Sequence, residues 1–226
     1  MTIRIINEDN ISFIKRDNVM YDFIYADMIY ENLNLEWINH AISRMKDRCI
    51  FVVQTDYHTV CEVKRHLDML GMSFVNWLIY INDWGGVPKN RFAQKHDDIL
   101  VYSNSTTWKW NSDSILIPKA TAGTKFDKKG TGTKVPASVF YDKVSFSTVS
   151  KERVKTDSGR NIQWQKPLWL MERLLLPFTD EGDNVLDLFM GSGTLGEVCR
   201  YSNRNYTGIE IDKNVFSLAE KRLNVS

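Results

Sequence analysis

Ten residues near the C-terminus, Val185-Leu186-Asp187-Leu188-Phe189-Met190-Gly191-Ser192-Gly193-Thr194, hold the types and spacing best suited to chemistry. An apolar run of strand type enters a glycine turn and leaves as a helix, so backbone N–H groups and the Asp187 carboxylate face one crevice. Gly191 and Gly193 carry no Cβ, which lets the main chain approach a ligand closely. Glu210 ends the next apolar run, 17 positions after Gly193, where a carboxylate can accept both hydroxyls of a ribose. These residues alone describe either a nucleoside-type site or an ordinary strand–turn–helix with a surface acid.

The rest of the chain narrows the chemistry. No Gly-x-x-x-x-Gly-Lys-[Ser/Thr] phosphate loop is present, so nothing supports NTP hydrolysis. Cys49, Cys61 and Cys199 are odd in number and far apart, with neither a disulfide framework nor a zinc spacing. Cys49 and Cys61 read as small buried hydrophobes. His40, His58, His66 and His96 form no ligand pair, and no metal is expected.

The net charge of +1 does not announce a partner, but its distribution is uneven. Between Lys119 and Lys166 eleven basic residues stand against four acids, an excess of +7. Such an excess suits phosphate neutralisation, and suits a solvated loop equally well. The N-terminus carries Arg4, Glu8 and Asp9 among its apolar residues, unlike a signal peptide, and no apolar run approaches the ~20 residues of a membrane span. A soluble, cytoplasmic protein follows as the expectation.

Strands and helices must position these groups. Tyr21 to Ala26 predicts a buried strand ending at Asp27. Trp37, Ile38, Ala41, Ile42 and Met45 recur at helical spacing, and Cys49 to Gln54 predicts a second strand. Val60, Val63, Leu67 and Leu70 mark a helix that Gly71 can close, and Phe74 to Ile81 a third strand.

From Asp83 the pattern changes to turn chemistry, with one more strand at Asp98 to Tyr102 and a lysine- and glycine-rich exposed loop over 120–135. Trp108, Trp110, Phe126, Phe140, Tyr141 and Phe146 are either base-stacking groups or a small core of this region. Pro167 suits the first position of a helix bearing Leu168, Met171, Leu174 and Leu175. Asn184 to Phe189 and Tyr206 to Ile211 predict strands, and Thr194 to Tyr201 and Val215 to Leu223 helices. Strands alternating with helices imply an α/β fold, a doubly wound, mainly parallel sheet covered on both faces.

Five segments resemble, in order, the β-class amino-methyltransferases of DNA, which methylate adenine N6 or cytosine N4. They are Asp9 with Tyr21-Asp-Phe-Ile-Tyr-Ala-Asp-Met-Ile-Tyr30; Asn90-Arg91-Phe92 with Lys95-His96-Asp97-Asp98-Ile99-Leu100; Gln165-Lys166-Pro167-Leu168 with Met171-Glu172-Arg173-Leu174; Asp187-x-Phe189-Met-Gly-Ser-Gly-Thr194; and Gly208-Ile-Glu-Ile-Asp212. The resemblance implies a Rossmann-like methyltransferase sheet with permuted motif order. It implies one domain over 1–226, with residues 83–165 as a DNA-recognition region within it. S-adenosyl-L-methionine is the implied cofactor and DNA the partner, with a homodimer among the open assemblies and no membrane. Asp187, Phe189, Gly191 and Gly193 would cradle the methionine end of the cofactor with Lys166 nearby. Glu210 would hold the ribose, and Asp9 the adenine amino group.

At the family's Asp-Pro-Pro-Tyr position the chain reads Asp27-Met28-Ile29-Tyr30, without either proline. An exocyclic amino nitrogen is a poor nucleophile because its lone pair is delocalised into the ring. Accepting hydrogen bonds from its two N–H groups, by a carboxylate and a main-chain carbonyl, favours a more tetrahedral nitrogen. Asp27 and the Met28 carbonyl can do this, and Tyr30 offers a stacking face for a flipped base. The rigidity that proline confers is lost. No proline precedes a cysteine, so the Pro-Cys nucleophile of cytosine C5 methyltransferases is absent. Adenine N6 is the expected acceptor, cytosine N4 the runner-up because cytosine enzymes more often carry serine at position 27, and an inactive DNA-binding subunit the alternative.

Overall fold

The computed structural model describes residues 1–28, 33–82, 88–141, 150–156, 158–162 and 164–225. Among the described residues ten strands and six α-helices follow in order: β1 (Ile3–Asn7), α1 (Asn10–Arg16), β2 (Tyr21–Asp27), α2 (Glu36–Ile42), β3 (Met45–Thr55), α3 (Val60–Met69), β4 (Ser73–Ile81), β5 (His96–Ser103), β6 (Ile117–Pro118), β7 (Thr133–Lys134), β8 (Val139–Phe140), α4 (Leu168–Leu175), β9 (Asn184–Asp187), α5 (Thr194–Tyr201), β10 (Asn205–Glu210) and α6 (Lys213–Leu223). Eight strands form one sheet in the order β1-β10-β9-β2-β3-β5-β4-β8, and β6 pairs with β7 in a small hairpin. The five pairings β1–β10, β10–β9, β9–β2, β2–β3 and β4–β8 are parallel, whereas β5 runs antiparallel between β3 and β4.

Successive side chains of a strand point to opposite faces, so β2 divides between two cores. Ile24 and Ala26 pack with Phe13 of α1, Trp37 and Ile38 of α2, and Val63 and Leu67 of α3. Phe23 and Tyr25 pack with Leu170 and Leu174 of α4, Val198 of α5 and Ala219 of α6. Both faces are covered, which is why β2, β3 and β9 read as near-continuous apolar runs. The helices change face between β9, whose crossover uses α5, and β2, whose crossover uses α2. That makes β9/β2 the switch point of the sheet, where a crevice opens beyond the carboxyl ends of the strands.

Several sequence expectations need correction. Met45 opens β3 rather than continuing α2, because Ser43 and Arg44 already close that helix with N–H bonds to His40 and Ala41 carbonyls. Pro167 is the cap of α4 and not its first residue; its ψ of 152° is extended. Cys49 is buried as expected but Cys61 is exposed. Among the described residues the aromatic group in 83–165 forms no core of its own. Phe140 enters the main sheet, Trp108 packs against that core, and Trp110 meets Phe178 at 5.3 Å. Phe126 and Tyr141 are exposed, and Phe146 lies outside the described residues. The 83–165 segment also supplies β5, a strand inside the main sheet. Among the described residues no helix is long and apolar enough to cross a membrane.

Candidate active site

The register brings the predicted residues of two distant segments to one sheet edge. Tyr25 pairs with Asp187 across β2–β9, Asp27 with Gln54 across β2–β3, and Asn7 with Glu210 across β1–β10. The carboxylates of Asp27, Asp187 and Glu210 therefore end neighbouring strands on either side of the switch point.

The glycine turn shapes one half. Gly191 has φ +55° and Gly193 φ +77°, a region that favours glycine. A Cβ built at Gly191 meets nothing within 4 Å, so open space lies beside the turn; one built at Gly193 comes 3.0 Å from Leu223 Cδ1 of α6. Gly193 thus serves helix packing as well as the turn. Gly196 is not among the residues predicted for the site, although Gly191-Ser-Gly193-Thr-Leu-Gly196 has the full Gly-x-Gly-x-x-Gly spacing. A Cβ there would meet Tyr206 at 2.8 Å, so this glycine lets α5 lie close on β10.

Glu210 accepts from Gly191 N at 3.0 Å and from Asp212 N at 2.8 Å, which ties the turn to the end of β10. Burial raises its carboxyl above the usual value. Asp9 caps α1 by accepting from Ser12 N at 2.9 Å, on the loop leaving β1 beside Glu210. Phe189 is half-buried, edge-on to Trp37 at 5.4 Å. Asp187 is only 2 % exposed and lies beneath the crevice surface, accepting from Tyr206 Oη at 2.9 Å and more weakly from Phe189 N at 3.4 Å. Burial, with smaller contributions from the charges of Asp27 and Glu210, pushes its carboxyl up to about 7 despite those hydrogen bonds.

The other half centres on Lys166. Its ammonium donates to Asp27 Oδ2 at 2.6 Å and lies 3.6 Å from Asp97 Oδ2. Gln54 Nε2 and Asn82 Nδ2 hold Asp97 at 2.7 and 2.8 Å, and Tyr25 Oη donates to Gln54 Oε1 at 2.7 Å. Burial alone would lower the Lys166 ammonium; the charges of Asp27 and Asp97 outweigh it and leave the group above the ordinary lysine value. Met28 is buried and its N–H donates to Gln54 O at 3.2 Å. Tyr30 lies outside the described residues. Asp97, Gln54 and Asn82 were not expected here. The available signals were an acid just ahead of the apolar run 99–102 and a glutamine closing the apolar run 49–54.

Comparison with known proteins identifies the family of the chain. The family model N6_N4_Mtase, DNA methylase, matches residues 3–221. The Type II methyltransferase M.HpaI of Haemophilus parainfluenzae is 28 % identical over 198 residues, 86 % of this chain. The chain spans 60 % of that relative's length. A crystal structure of the M1.HpyAVI–SAM complex superposes with a TM-score of 0.76 at 27 % identity, covering 99 % of this chain and 100 % of that one. The cytosine-N4-specific PvuII DNA methyltransferase shares the fold, with a TM-score of 0.72 at 13 % identity over 100 % of this chain and 89 % of that one. With a family model covering nearly its whole length, the chain belongs to the N6/N4 DNA methylase family.

Proposed function

We propose that this chain transfers a methyl group from S-adenosylmethionine to adenine N6 in DNA. The observation that carries the reading is the meeting of Asp27 with the Asp187–Gly193 turn at one switch point, on adjacent parallel strands. The residues present fit the cofactor: open space beside Gly191, a strand-end acid at Glu210, Asp9 on the neighbouring loop, and a buried carboxyl at Asp187. In this reading Glu210 holds the ribose and Asp9 the adenine amino group. Phe189, Gly191 and Gly193 shape the methionine end, and Asp187 offers that end a negative charge from below. When bound, S-adenosylmethionine supplies an electrophilic methyl on a sulfonium sulfur. Asp27 accepts a hydrogen bond from one N–H of the target amino group and the Met28 carbonyl one from the other, so the nitrogen lone pair turns toward that methyl. Tyr30 stacks on the flipped base. Adenine is preferred to cytosine because position 27 is aspartate, where cytosine enzymes of the resembled family more often have serine.

Incubation with tritiated cofactor and mixed DNA, followed by nucleoside analysis, tests this. Label in N6-methyladenine is expected. Label in N4-methylcytosine would move the acceptor while keeping the reaction. Cofactor and DNA binding without label would make the chain an inactive DNA-binding subunit.

A further inference from the structure

We propose that Lys166 is the positioning residue for Asp27, an ion-pair clamp that supplies the rigidity which two prolines would otherwise give the segment after it. The inference rests on the reading of Asp27 as acceptor of the target amino hydrogen. A proline ring would fix φ at positions 28 and 29, and methionine and isoleucine have no such ring. The Asp27 side chain, at the end of β2, must then be held from outside.

Lys166 meets the requirements of a clamp. Its side chain is only 11 % exposed, and its ammonium engages one named oxygen of Asp27 at 2.6 Å. Its own backbone is anchored on both sides. Gln165 before it accepts from Val154 N at 2.8 Å and donates to Glu152 O at 2.7 Å, and Pro167 after it has its φ fixed at −75°. Glu152 reaches back to accept from Leu168 N at 3.1 Å, so the start of α4 is tied to the same turn.

Asp97 prevents the ammonium from following Asp27 alone, because it draws Lys166 from the side of β5 and is itself held by Gln54 and Asn82. The series Tyr25–Gln54–Asp97–Lys166–Asp27 begins and ends on β2 and closes a ring around the acceptor. Two carboxylates face one ammonium, which leaves the ring with a net negative charge for the amino hydrogens. Lys166 touches neither reacting atom in this arrangement; it acts through Asp27.

The test uses the full chain with S-adenosylmethionine and DNA. Lys166→Met should lower the single-turnover methyl-transfer rate at saturating cofactor about 10²-fold, the scale of a misplacement of about 1 Å. Its affinities for cofactor and DNA should change little. Lys166→Arg should restore much of the rate, since it keeps the charge. Asp97→Asn should lower the same rate by less, and the double variant Lys166→Met/Asp97→Asn should be no slower than Lys166→Met, as expected for one coupled unit.

Acetic anhydride labelling read by mass spectrometry reports the clamp without any turnover. Lys166 should acylate far more slowly than exposed lysines in the wild type, and faster in Asp27→Asn. If Lys166→Met does not fold, Lys166→Arg, Asp97→Asn and the labelling carry the test. Weakened cofactor affinity with an unchanged rate at saturation would overturn the proposal and make Lys166 a cofactor ligand. Wild-type Lys166 that labels like a surface lysine would overturn it too. Absence of methyl transfer in the wild type, with Lys166 still protected, would instead count against the proposed reaction and leave the clamp standing.

Discussion

Asp27 and Asp187 end adjacent strands, yet their surroundings give them different work. Asp187 is buried with a carboxyl raised from 3.8 to about 7, so its charged form is disfavoured in the fold. A raised carboxyl contributes stability that is full below the unfolded value and is lost as pH rises through the folded one. The ligand-free protein should therefore lose stability between about pH 4 and pH 7 through this group, and Asp187→Asn should flatten that part of the profile. Glu210, also raised by burial, acts in the same direction, so the decisive quantity is the difference in melting temperature between wild type and Asp187→Asn across that window. A constant difference would mean that Asp187 does not titrate there. A cofactor ammonium near Asp187 would favour its charged form, so cofactor binding near neutral pH should release protons, measurable as a buffer-dependent heat. Asp27, by contrast, is paired with an ammonium at the end of β2. Asp27→Ala should cost about 10²–10³ in methyl-transfer rate with cofactor binding retained. Rates close to wild type would remove Asp27 from the reaction. Both aspartates were legible as strand-end acids, because an acid that closes an apolar run stands out in any sequence. Lys166 was legible only as a motif residue. Its hydrogen bond to Asp27 spans 139 positions, and no local pattern encodes a pairing at that distance.

The elements owe their accuracy to periodicity and their errors to its silence about direction and partners. α3 carries Val60, Val63 and Leu67 on one face and is followed by Gly71 with φ +74°, as the spacing implies, whereas Leu70 is its exposed cap and not part of that face. β5 was legible as a buried strand but not as an antiparallel one, since an apolar run burying both faces looks the same in either sense. β1 and α1 were missed. Ile3 to Asn7 is short and only half-buried, and its place is set by the parallel register with β10, at the other end of the sequence. The glycine turn shows how packing alters a sequence argument. Gly193→Val is expected to unfold or strongly destabilise the protein before it affects any ligand, because φ is +77° and Leu223 stands 3.0 Å from the new Cβ. Gly191→Ala is the better probe of the cofactor cradle. It carries a left-handed strain of about 1–2 kcal/mol but meets no atom within 4 Å. The variant should fold with a modestly lower melting temperature and bind S-adenosylmethionine more weakly, as its methyl group enters the open space beside the turn. Unchanged calorimetric affinity in folded Gly191→Ala would move the cofactor away from this turn.

At the scale of the whole molecule, DNA must, on the proposed function, reach the strand ends that carry Asp27, and two basic segments are placed to contact it. The loop bearing Lys125, Lys128, Lys129 and Lys134 is exposed at all four positions, and Lys119 at its root is tied to Asp127 at 2.8 Å. The chain leading to it leaves β5 at the opposite edge, where Lys109 pairs with Asp180 and Asp183 just before β9. Residues 88–95 instead lie between β4 and β5 at the Asp27 edge. There Lys89 and Arg91 are exposed, Phe92 is 99 % exposed, and Arg91 donates to Tyr57 Oη at 3.5 Å on the loop after β3. We propose that both segments bind phosphates and that only the second also positions the DNA for reaction. Replacing the four loop lysines by glutamine should weaken binding to every DNA sequence alike and flatten the dependence of log affinity on log salt by about 0.9 for each duplex phosphate no longer neutralised. The transfer rate at saturating DNA should not change. Lys89→Gln with Arg91→Gln should flatten the same slope and also lower that rate, because a duplex held less firmly beside the crevice lets the target base sit off line. Neither change should alter cofactor affinity, since the glycine turn lies across the switch point. Parallel salt slopes for wild type and the loop variant would make those lysines a solvated surface, with phosphate binding confined to 88–95. A rim variant with an unchanged rate would reduce that segment to attraction alone.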